Sequence, residues 1–475
     1  MNDSFRHWRN RVSAVFVLLM MASSIAAQAP SPPSIRLRVH PAAAPTPALK
    51  YKLLPELEDK TPGNAALLYL RAFSPEWYSH GRPPGFANKV LDLLETPLVD
   101  LPKKDVNWLT SYQPLKQLDK AARKETCDWE MTARVREEGV NMMFPELQSF
   151  RELASLLALR NRLYLADDNI DQTVYTLQTG FSLGRDIGQA PTLVNSLVGA
   201  AISHVMVGQV EELLKHRKCP NLYWALTYLP NPLIDFRNGY EGERLMLFAR
   251  IPELRGIETE QLSPEKEEKL LDQLSNFVSG TDARNGRRED HVTLTVLALK
   301  IYPEAKKVLI EEGRKAEEVE AMPVVQVVAI HSLRRFKEYQ DDLYKWLGLP
   351  FSEARAGLEQ ADKRLIIAQQ KKDMLPLFML IPPAAKVFNA HARLARKIAA
   401  LRCLEAIRMH AKDNNGKLPA KLDDIGLVPV PLDPMTGKSF DYHVKDQIIT
   451  LYAPPPAQER PTASNSFTYE MTIEK

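Results

Sequence analysis

The clearest pattern of apolar and polar positions predicts two amphipathic helices joined by a short turn. Apolar side chains recur at spacings of three and four residues in both segments, at Leu153, Leu156, Leu157, Tyr164, Ile170, Val174, Leu177 and Phe181. The polar run Asp167-Asp168-Asn169 separates the segments, so we expect an antiparallel helical hairpin. A third apolar segment covers residues 193–215, and its polar residues favour a buried helix over a membrane span.

The middle of the chain predicts a second helical block over residues 256–388. Ser263-Pro264 provides a cap and a first-turn proline, and a helical pattern also follows Pro323. Glycines and polar residues interrupt the block at residues 279–290, where we expect an exposed loop.

The C-terminal residues 389–475 have a different pattern. Residues 392–411 predict an amphipathic helix, and alternating apolar positions then predict three short strands. Those positions are Phe440, Tyr442, Val444, Ile449, Leu451, Phe467, Tyr469, Met471 and Ile473. A helix over one face of a small antiparallel sheet forms an α+β module. The predicted fold class is therefore mainly α, with helical hairpins and a small C-terminal α+β module.

The N-terminus has the order of features found in secretory signals. Arg6, Arg9 and Arg11 precede an apolar stretch at 12–22, and small residues follow it. We predict a signal peptide over residues 1–26, and therefore a periplasmic or cell-envelope location. The alternative is an uncleaved N-terminal membrane anchor, which is disfavoured because the apolar run is shorter than the roughly 20 residues that span a bilayer.

The segment after the signal is predicted to be a linker. Residues 27–48 are rich in proline and alanine, which favours an extended, solvated chain. A helical domain is then predicted over residues 49–255. Thr61 would cap its first helix and Pro62 would occupy the first turn.

Composition supports the helical fold and limits the partners. The 475 residues include only 20 glycines, about 4%, against roughly 7% in average proteins. Phosphate-binding loops use glycine, so the deficit disfavours nucleotide-binding α/β enzymes. The 62 basic and 59 acidic residues give a net charge of +3, which signal cleavage lowers to +1. Nucleic acid is therefore not an expected partner.

Cysteine and histidine show no metal-binding pattern. Cys127, Cys219 and Cys403 lie far apart in the sequence, so we favour buried thiols, with one bridge between two of them as the alternative. The ten histidines match no ligand motif, and we predict neither a metal nor a cofactor. His204 lies in the third apolar segment and is predicted to be a core residue with satisfied hydrogen bonds.

One catalytic motif is present. Gly180-Phe181-Ser182-Leu183-Gly184 matches the nucleophile elbow of α/β-hydrolases, in which a serine lies on a strained turn between a strand and a helix. The residues before Ser182 have helical periodicity, although Thr173–Thr176 includes β-branched residues. We favour packing of two helices at Gly180 and Gly184, and retain Ser182 as the candidate catalytic residue of the alternative.

The C-terminal helix is rich in basic residues. These are Arg393, Arg396, Lys397, Arg402 and Arg408. We predict that they form a solvated helix face, since no aromatic residues are interleaved with them. The alternative is contact with an anionic membrane surface or with a polyanion of the envelope.

Some segments resemble known families. The first hairpin resembles a tetratricopeptide unit, because Tyr164, Ile170, Leu177 and Gly180 lie at matching offsets, although Thr173 replaces the usual alanine. No clean 34-residue recurrence follows, so the resemblance implies helical hairpins and not a full repeat array.

Two stretches resemble a group of exported helical proteins of planctomycete-type bacteria. They are residues 53–73, with Thr-Pro-Gly-Asn-Ala-Ala-Leu-Leu-Tyr-Leu-Arg, and residues 318–328, with Met-Pro-Val-Val-Gln. This resemblance implies export but no activity.

Residues 399–442, which include Asp433-Pro434-Met435-Thr436-Gly437-Lys438, look like the globular end of type II secretion pseudopilins. Neither pilus assembly nor a calcium site is implied, because the methylated N-terminal helix is missing and the ligands do not correspond.

Together these patterns predict an exported helical scaffold or protein-interaction protein of the cell envelope, with a protein or peptide partner. The alternative function is an exported serine hydrolase that uses Ser182. The sequence contains no recognised catalytic constellation besides that motif.

Overall fold

The structure is a computed structural model of the chain. It describes residues 32–78, 82–138, 146–279, 288–371, 373–377, 381 and 384–474. The predicted signal peptide lies outside the described residues, and so do residues 280–287 of the predicted exposed loop.

The described residues are mainly helical, with a small sheet at the C-terminus, which confirms the predicted fold class. The helices are α1 (Ala65–Arg71), α2 (Pro75–Tyr78), α3 (Val90–Glu95), α4 (Lys103–Val106), α5 (Gln113–Ala122), α6 (Met131–Glu138), α7 (Glu146–Ala166), α8 (Ile170–Gly188), α9 (Leu193–Leu214), α10 (Tyr223–Thr227), α11 (Arg237–Arg250), α12 (Pro264–Ser279), α13 (Arg288–Glu311), α14 (Ala316–Glu320), α15 (Val324–Tyr344), α16 (Phe351–Lys371) and α17 (Ala384–Asp413).

The strands form a four-stranded and a two-stranded sheet. They are β1 (Ser34–Val39), β2 (Thr61–Asn64), β3 (Lys124–Thr126), β4 (Asp441–Lys445), β5 (Ile448–Ala453) and β6 (Phe467–Ile473). The larger sheet has the order β1-β6-β5-β4, and β2 pairs with β3 in parallel. Strands β4, β5 and β6 are antiparallel, as the alternation predicts, while β1 joins β6 in parallel.

The described residues divide into two compact units. The larger unit draws its residues from 29–130, 143–239 and 388–475, and the smaller unit includes 131–142 and 240–387. The C-terminal module therefore belongs to the same unit as the first helical hairpin. Between residues 143 and 475 the chain passes from one unit to the other at residues 239/240 and 387/388.

The predicted hairpin in the larger unit is confirmed, together with its third helix. Helix α7 ends at Ala166 and α8 begins at Ile170, after Asp168 with a positive φ of 57°. The Asn169 side chain accepts a hydrogen bond from the Gln172 backbone N–H and so caps α8. Helix α9 is capped in the same way by Thr192 and packs on both α7 and α8.

The predicted linker is wrong over β1. Leu37 and Val39 are buried, and Arg36 pairs with Glu470 of the neighbouring strand at 3.0 Å. Ile35, Leu37 and Val39 alternate with polar residues, which is a strand pattern, but the flanking prolines and alanines hide it within a composition typical of a linker. Burial against the parallel strand β6 therefore overrides the compositional preference of the segment.

The predicted cap of the first helix is also wrong. Residues 61–64 form β2, and the Thr61 backbone N–H donates to Arg123 O at 2.8 Å. Helix α1 begins at Ala65 because the Asn64 side chain accepts a hydrogen bond from the Ala66 N–H. Asparagine is a better helix cap than threonine. Thr61 is paired with β3, so the helix starts later, after Asn64.

Helices of the smaller unit begin where the sequence predicts. Helix α12 starts at Pro264 and α15 at Val324, immediately after Pro323. Gln326 is buried, and its amide donates to Ile257 O and Glu260 O while its carbonyl accepts from Leu262 N–H. The Met-Pro-Val-Val-Gln stretch thus holds residues 257–262 against α15.

Candidate functional site

Ser182 lies in the interior of α8 and is 5% exposed. Residues 170–181 before it are helical, so the strand and strained turn of a nucleophile elbow are not present at this position. None of the hydrogen bonds of the described residues joins Ser182 to a histidine. The motif match therefore lacks the local geometry that would make Ser182 a nucleophile.

The glycines around Ser182 instead allow α8 and α9 to approach closely, which confirms the predicted helix packing. A methyl group at Gly184 would lie 2.4 Å from Ser203 Oγ and 2.9 Å from Gly199 O. One at Gly180 would lie 2.0 Å from Met206 Sδ. Real Cβ atoms do not approach other atoms this closely, so a side chain at Gly184 would force the backbone of α9 away, whereas one at Gly180 would displace the flexible Met206 side chain.

A more unusual arrangement lies one turn beyond Ser182. The Tyr69 hydroxyl donates a hydrogen bond of 2.7 Å to Asp186 Oδ2, and Trp129 Nε1 donates to the Asp186 backbone O at 2.7 Å. The Tyr69 and Trp129 rings stack, with centroids 5.8 Å apart and planes 14° from parallel. Segments from α1 and from the loop after β3 thus converge on Asp186 of α8, the first on its carboxyl group and the second on its backbone oxygen.

Burial raises the pKa of Asp186 to about 6, although the Tyr69 hydrogen bond and the charges of Lys60 and Arg185 oppose the rise. Lys60 Nζ donates to Ala122 O and Lys124 O, and burial lowers the pKa of this ammonium. We call Lys60, Tyr69, Cys127, Trp129 and Asp186 the Asp186 cluster. A carboxyl group with a pKa near neutral pH, held by a tyrosine and close to a lysine, can accept or donate a proton.

The Cys127 thiol of this cluster is not activated. Burial raises its pKa, and the nearby Asp186 charge raises it further. A thiol must ionise to act as a nucleophile, so the cluster supports proton transfer and hydrogen bonding rather than thiolate chemistry. All three cysteines are free, and Cys219 and Cys403 are buried, as we favoured from the sequence.

A second polar network holds α5, α7 and α8 together. The two Nη atoms of Arg160 donate to the two carboxylate oxygens of Asp119 at 2.8 and 2.7 Å. Thr179 Oγ1 donates to the same carboxylate, and Arg123 donates to Thr179 and Gln178. Because the Asp119 carboxylate is neutralised by Arg160 and its oxygens are used within the network, we interpret the network as structural.

The prediction of a solvated basic face on α17 is wrong. Arg396 is 1% exposed and lies 2.5 Å from Asp433, which is completely buried. Arg408 is likewise buried and donates to both carboxylate oxygens of Glu405. These side chains are buried because their carboxylate partners neutralise them, and backbone oxygens distant in the sequence accept further hydrogen bonds from both guanidinium groups.

The pseudopilin-like residues around Asp433 form hydrogen bonds and an ion pair within the fold. The Asp433 carboxylate accepts from the backbone N–H of Met435 and from the Thr436 hydroxyl, besides its ion pair with Arg396. A guanidinium therefore neutralises this carboxylate. In the described part of the chain, no group of three His, Cys, Asp or Glu side chains is arranged to hold a metal ion.

Comparisons with known proteins give no identification: no family model, no curated protein and no solved structure matches the chain. Among the described helices, α9 is the one that is long and apolar enough to cross a membrane by length and composition. In the structure 61% of its most apolar part is buried.

None of these site residues except Ser182 was predicted from the sequence. Lys60, Tyr69, Cys127 and Asp186 come from four separate segments, and each has an ordinary local context. Tyr69 lies in the helix predicted to follow Thr61, and that prediction gave it no chemical role.

Replacing Asp186 with Asn tests the raised pKa. Because the folded protein binds this proton more tightly than the unfolded chain, stability is full below about pH 4 and falls as the pH rises to about 6. Asp186→Asn keeps an acceptor for Tyr69 and removes this loss, so we expect it to raise the free energy of unfolding at pH 7.5 by up to about 3 kcal/mol. At pH 4 the variant and the wild type should be equally stable.

Urea unfolding at pH 4, 6 and 7.5 measures this difference. Asp413→Asn, at an exposed position at the end of α17, is the control. The difference in free energy of unfolding between this variant and the wild type should be the same at pH 6 and at pH 7.5. A stability difference for Asp186→Asn that does not depend on pH would contradict the raised pKa.

Proposed function

We propose that the protein is an exported helical scaffold of the cell envelope that binds another protein through an apolar face of α13. The signal-like N-terminus and the resemblance of residues 53–73 to exported helical proteins support export. The helical fold supports a binding role, because helices present side chains at fixed spacing to a partner.

The observation that carries this proposal is an exposed apolar stripe on α13. Val292, Val296 and Leu299 are 59%, 60% and 57% exposed. They are spaced by four and three residues, so they lie in one row along the helix. On the opposite side of α13, Leu294, Ala298 and Ile301 are buried in the smaller unit.

The composition around the stripe indicates the chemistry of the partner. Between Val292 and Pro303 the only charged residue is Lys300. A single exposed aliphatic side chain is ordinary, but three in one row with few charges form a patch of the kind found at interfaces. We expect the partner to contribute an apolar helix face, because its burial would gain about 25 cal/mol for each Å² of apolar area.

Substitution of Val296 tests the proposal. We expect the wild-type protein, extracted from the envelope of its native host in mild detergent, to elute in a complex with a different protein at a fixed ratio. Val296→Asp should lower the fraction in this complex at least about tenfold, because a carboxylate at the centre of the interface cannot be paired.

Glu311→Gln is the matched control, since Glu311 is exposed near the end of the same helix. It should leave the complex intact. The proposal is contradicted if the wild type elutes as a free chain, or if Val296→Asp elutes with the same partner in the same ratio.

A further inference from the structure

A group of basic side chains in the larger unit lacks partners. Arg393 of α17 forms no hydrogen bond or ion pair with a described residue, and its Nε is buried. His391, on the same helix, is 6% exposed, and its Nε2 is buried without a hydrogen-bond partner. His204 of α9 faces them and also forms no hydrogen bond with the described residues.

The neighbouring charges leave the group positive. Lys397 is neutralised by Glu211, with Nζ 3.1 Å from the carboxylate. Asp235, the acidic residue close to His391, is paired with Arg237 at 2.6 Å. Arg393 is therefore the cation in this group without a carboxylate partner among the described residues.

Electrostatics keeps the two imidazoles neutral. Burial and the charges of Arg393 and Lys397 lower the pKa of His204 to about 4. Burial and the charge of His204 lower the pKa of His391 to about 3, against the opposing effect of Asp235. At pH 7 each ring therefore offers one N–H donor and adds no charge.

A guanidinium differs from these imidazoles because it cannot lose its proton. Burial lowers the pKa of Arg393, but an arginine remains charged at any physiological pH. A partly buried charge without a counterion is costly. In this group the cost is removed when an anion reaches the guanidinium.

We propose that Arg393 and His204 bind a phosphate group, with the guanidinium as the charged donor and an imidazole N–H of His204 as a second donor. The guanidinium matches a phosphate because two parallel N–H groups reach two oxygens. His391 is held on the same helix by its packing on Phe236, with the ring centroids 4.5 Å apart. The phosphate belongs either to a free ion or to a lipid headgroup.

Calorimetric titration of the full mature chain with inorganic phosphate tests the site at pH 7, with chloride at the same ionic strength as the reference. We expect the wild type to bind one phosphate per chain. Arg393→Met should weaken binding at least about tenfold, because a charge-assisted hydrogen bond is lost. Lys412→Met, at an exposed position near the end of the same helix, should bind as the wild type does.

A thermal melt distinguishes a lost site from a damaged fold. In chloride alone, Arg393→Met should melt at the same temperature as the wild type or higher, since it removes an unpaired charge. In phosphate only the wild type and Lys412→Met should gain stability.

Vesicles of phosphatidylglycerol and of phosphatidylcholine distinguish the two phosphate sources. Binding to phosphatidylglycerol that requires Arg393, without binding of inorganic phosphate, assigns the site to a lipid headgroup. The proposal is overturned if the wild type binds neither phosphate nor phosphatidylglycerol above the chloride reference, or if Arg393→Met binds them unchanged.

Discussion

Glu405→Gln is expected to lower the free energy of unfolding of the larger unit by about 3–5 kcal/mol. Glu405 and Arg408 are both completely buried, and the two carboxylate oxygens lie 2.9 and 3.0 Å from Arg408 Nη1. A glutamine of the same shape leaves the guanidinium charged in an apolar core. The backbone oxygens of His40 and Cys219 accept from Arg408 but cannot neutralise it.

Urea unfolding followed by tryptophan fluorescence measures this loss, since Trp108, Trp129 and Trp224 lie in the larger unit. The control is Glu470→Gln, which removes the pair with Arg36 on the sheet surface and should cost less than about 1 kcal/mol. The double variant Glu405→Leu/Arg408→Met should recover much of the loss, because it buries no charge. Equal losses for Glu405→Gln and Glu470→Gln would contradict the buried pair.

Gly199→Ala is expected to destabilise the same unit by about 3 kcal/mol. A methyl group at this position would lie 2.4 Å from Gly184 O and 2.7 Å from Gly188 Cα. Both neighbours are backbone atoms, so the clash is relieved only if α8 and α9 move apart. That movement would also separate the apolar side chains that the two helices bury against each other.

Gly208→Ala is the matched control for this prediction. Gly208 lies in the same helix, and a methyl group there would meet no atom within 4 Å. Alanine has the higher helix propensity, so this variant should gain up to about 1 kcal/mol. If Gly199→Ala gained stability as Gly208→Ala does, the close packing around the Gly180-x-Ser182-x-Gly184 segment would be wrong.

Helices were predicted well where the pattern is long and local. The boundaries of α7, α8 and α9 follow directly from apolar spacing and from the cap residues Asn169 and Thr192. The antiparallel strands β4, β5 and β6 follow from alternation with a period of two. In these elements local preference and tertiary packing favour the same structure.

The errors arise where a partner distant in the sequence determines the structure. Strand β1 forms because β6 lies beside it, more than 400 residues later in the chain. Arg396 is buried because Asp433 neutralises it, and Arg408, paired with the nearby Glu405, also donates to the distant backbone oxygens of His40 and Cys219. Helical periodicity alone gives no sign of these contacts. The Asp186 cluster has the same origin, since its five residues meet only in the folded chain.

Photo-crosslinking in intact cells of the native host tests the proposed function most directly. A photoreactive phenylalanine analogue replaces Val296 in the α13 stripe or, as the control, Glu311 on the same helix. We predict that the probe at position 296 joins the protein to one recurrent envelope protein, and that the probe at position 311 does not. Equal labelling from both positions, or no protein adduct from position 296, would contradict the proposal that the α13 stripe binds a protein.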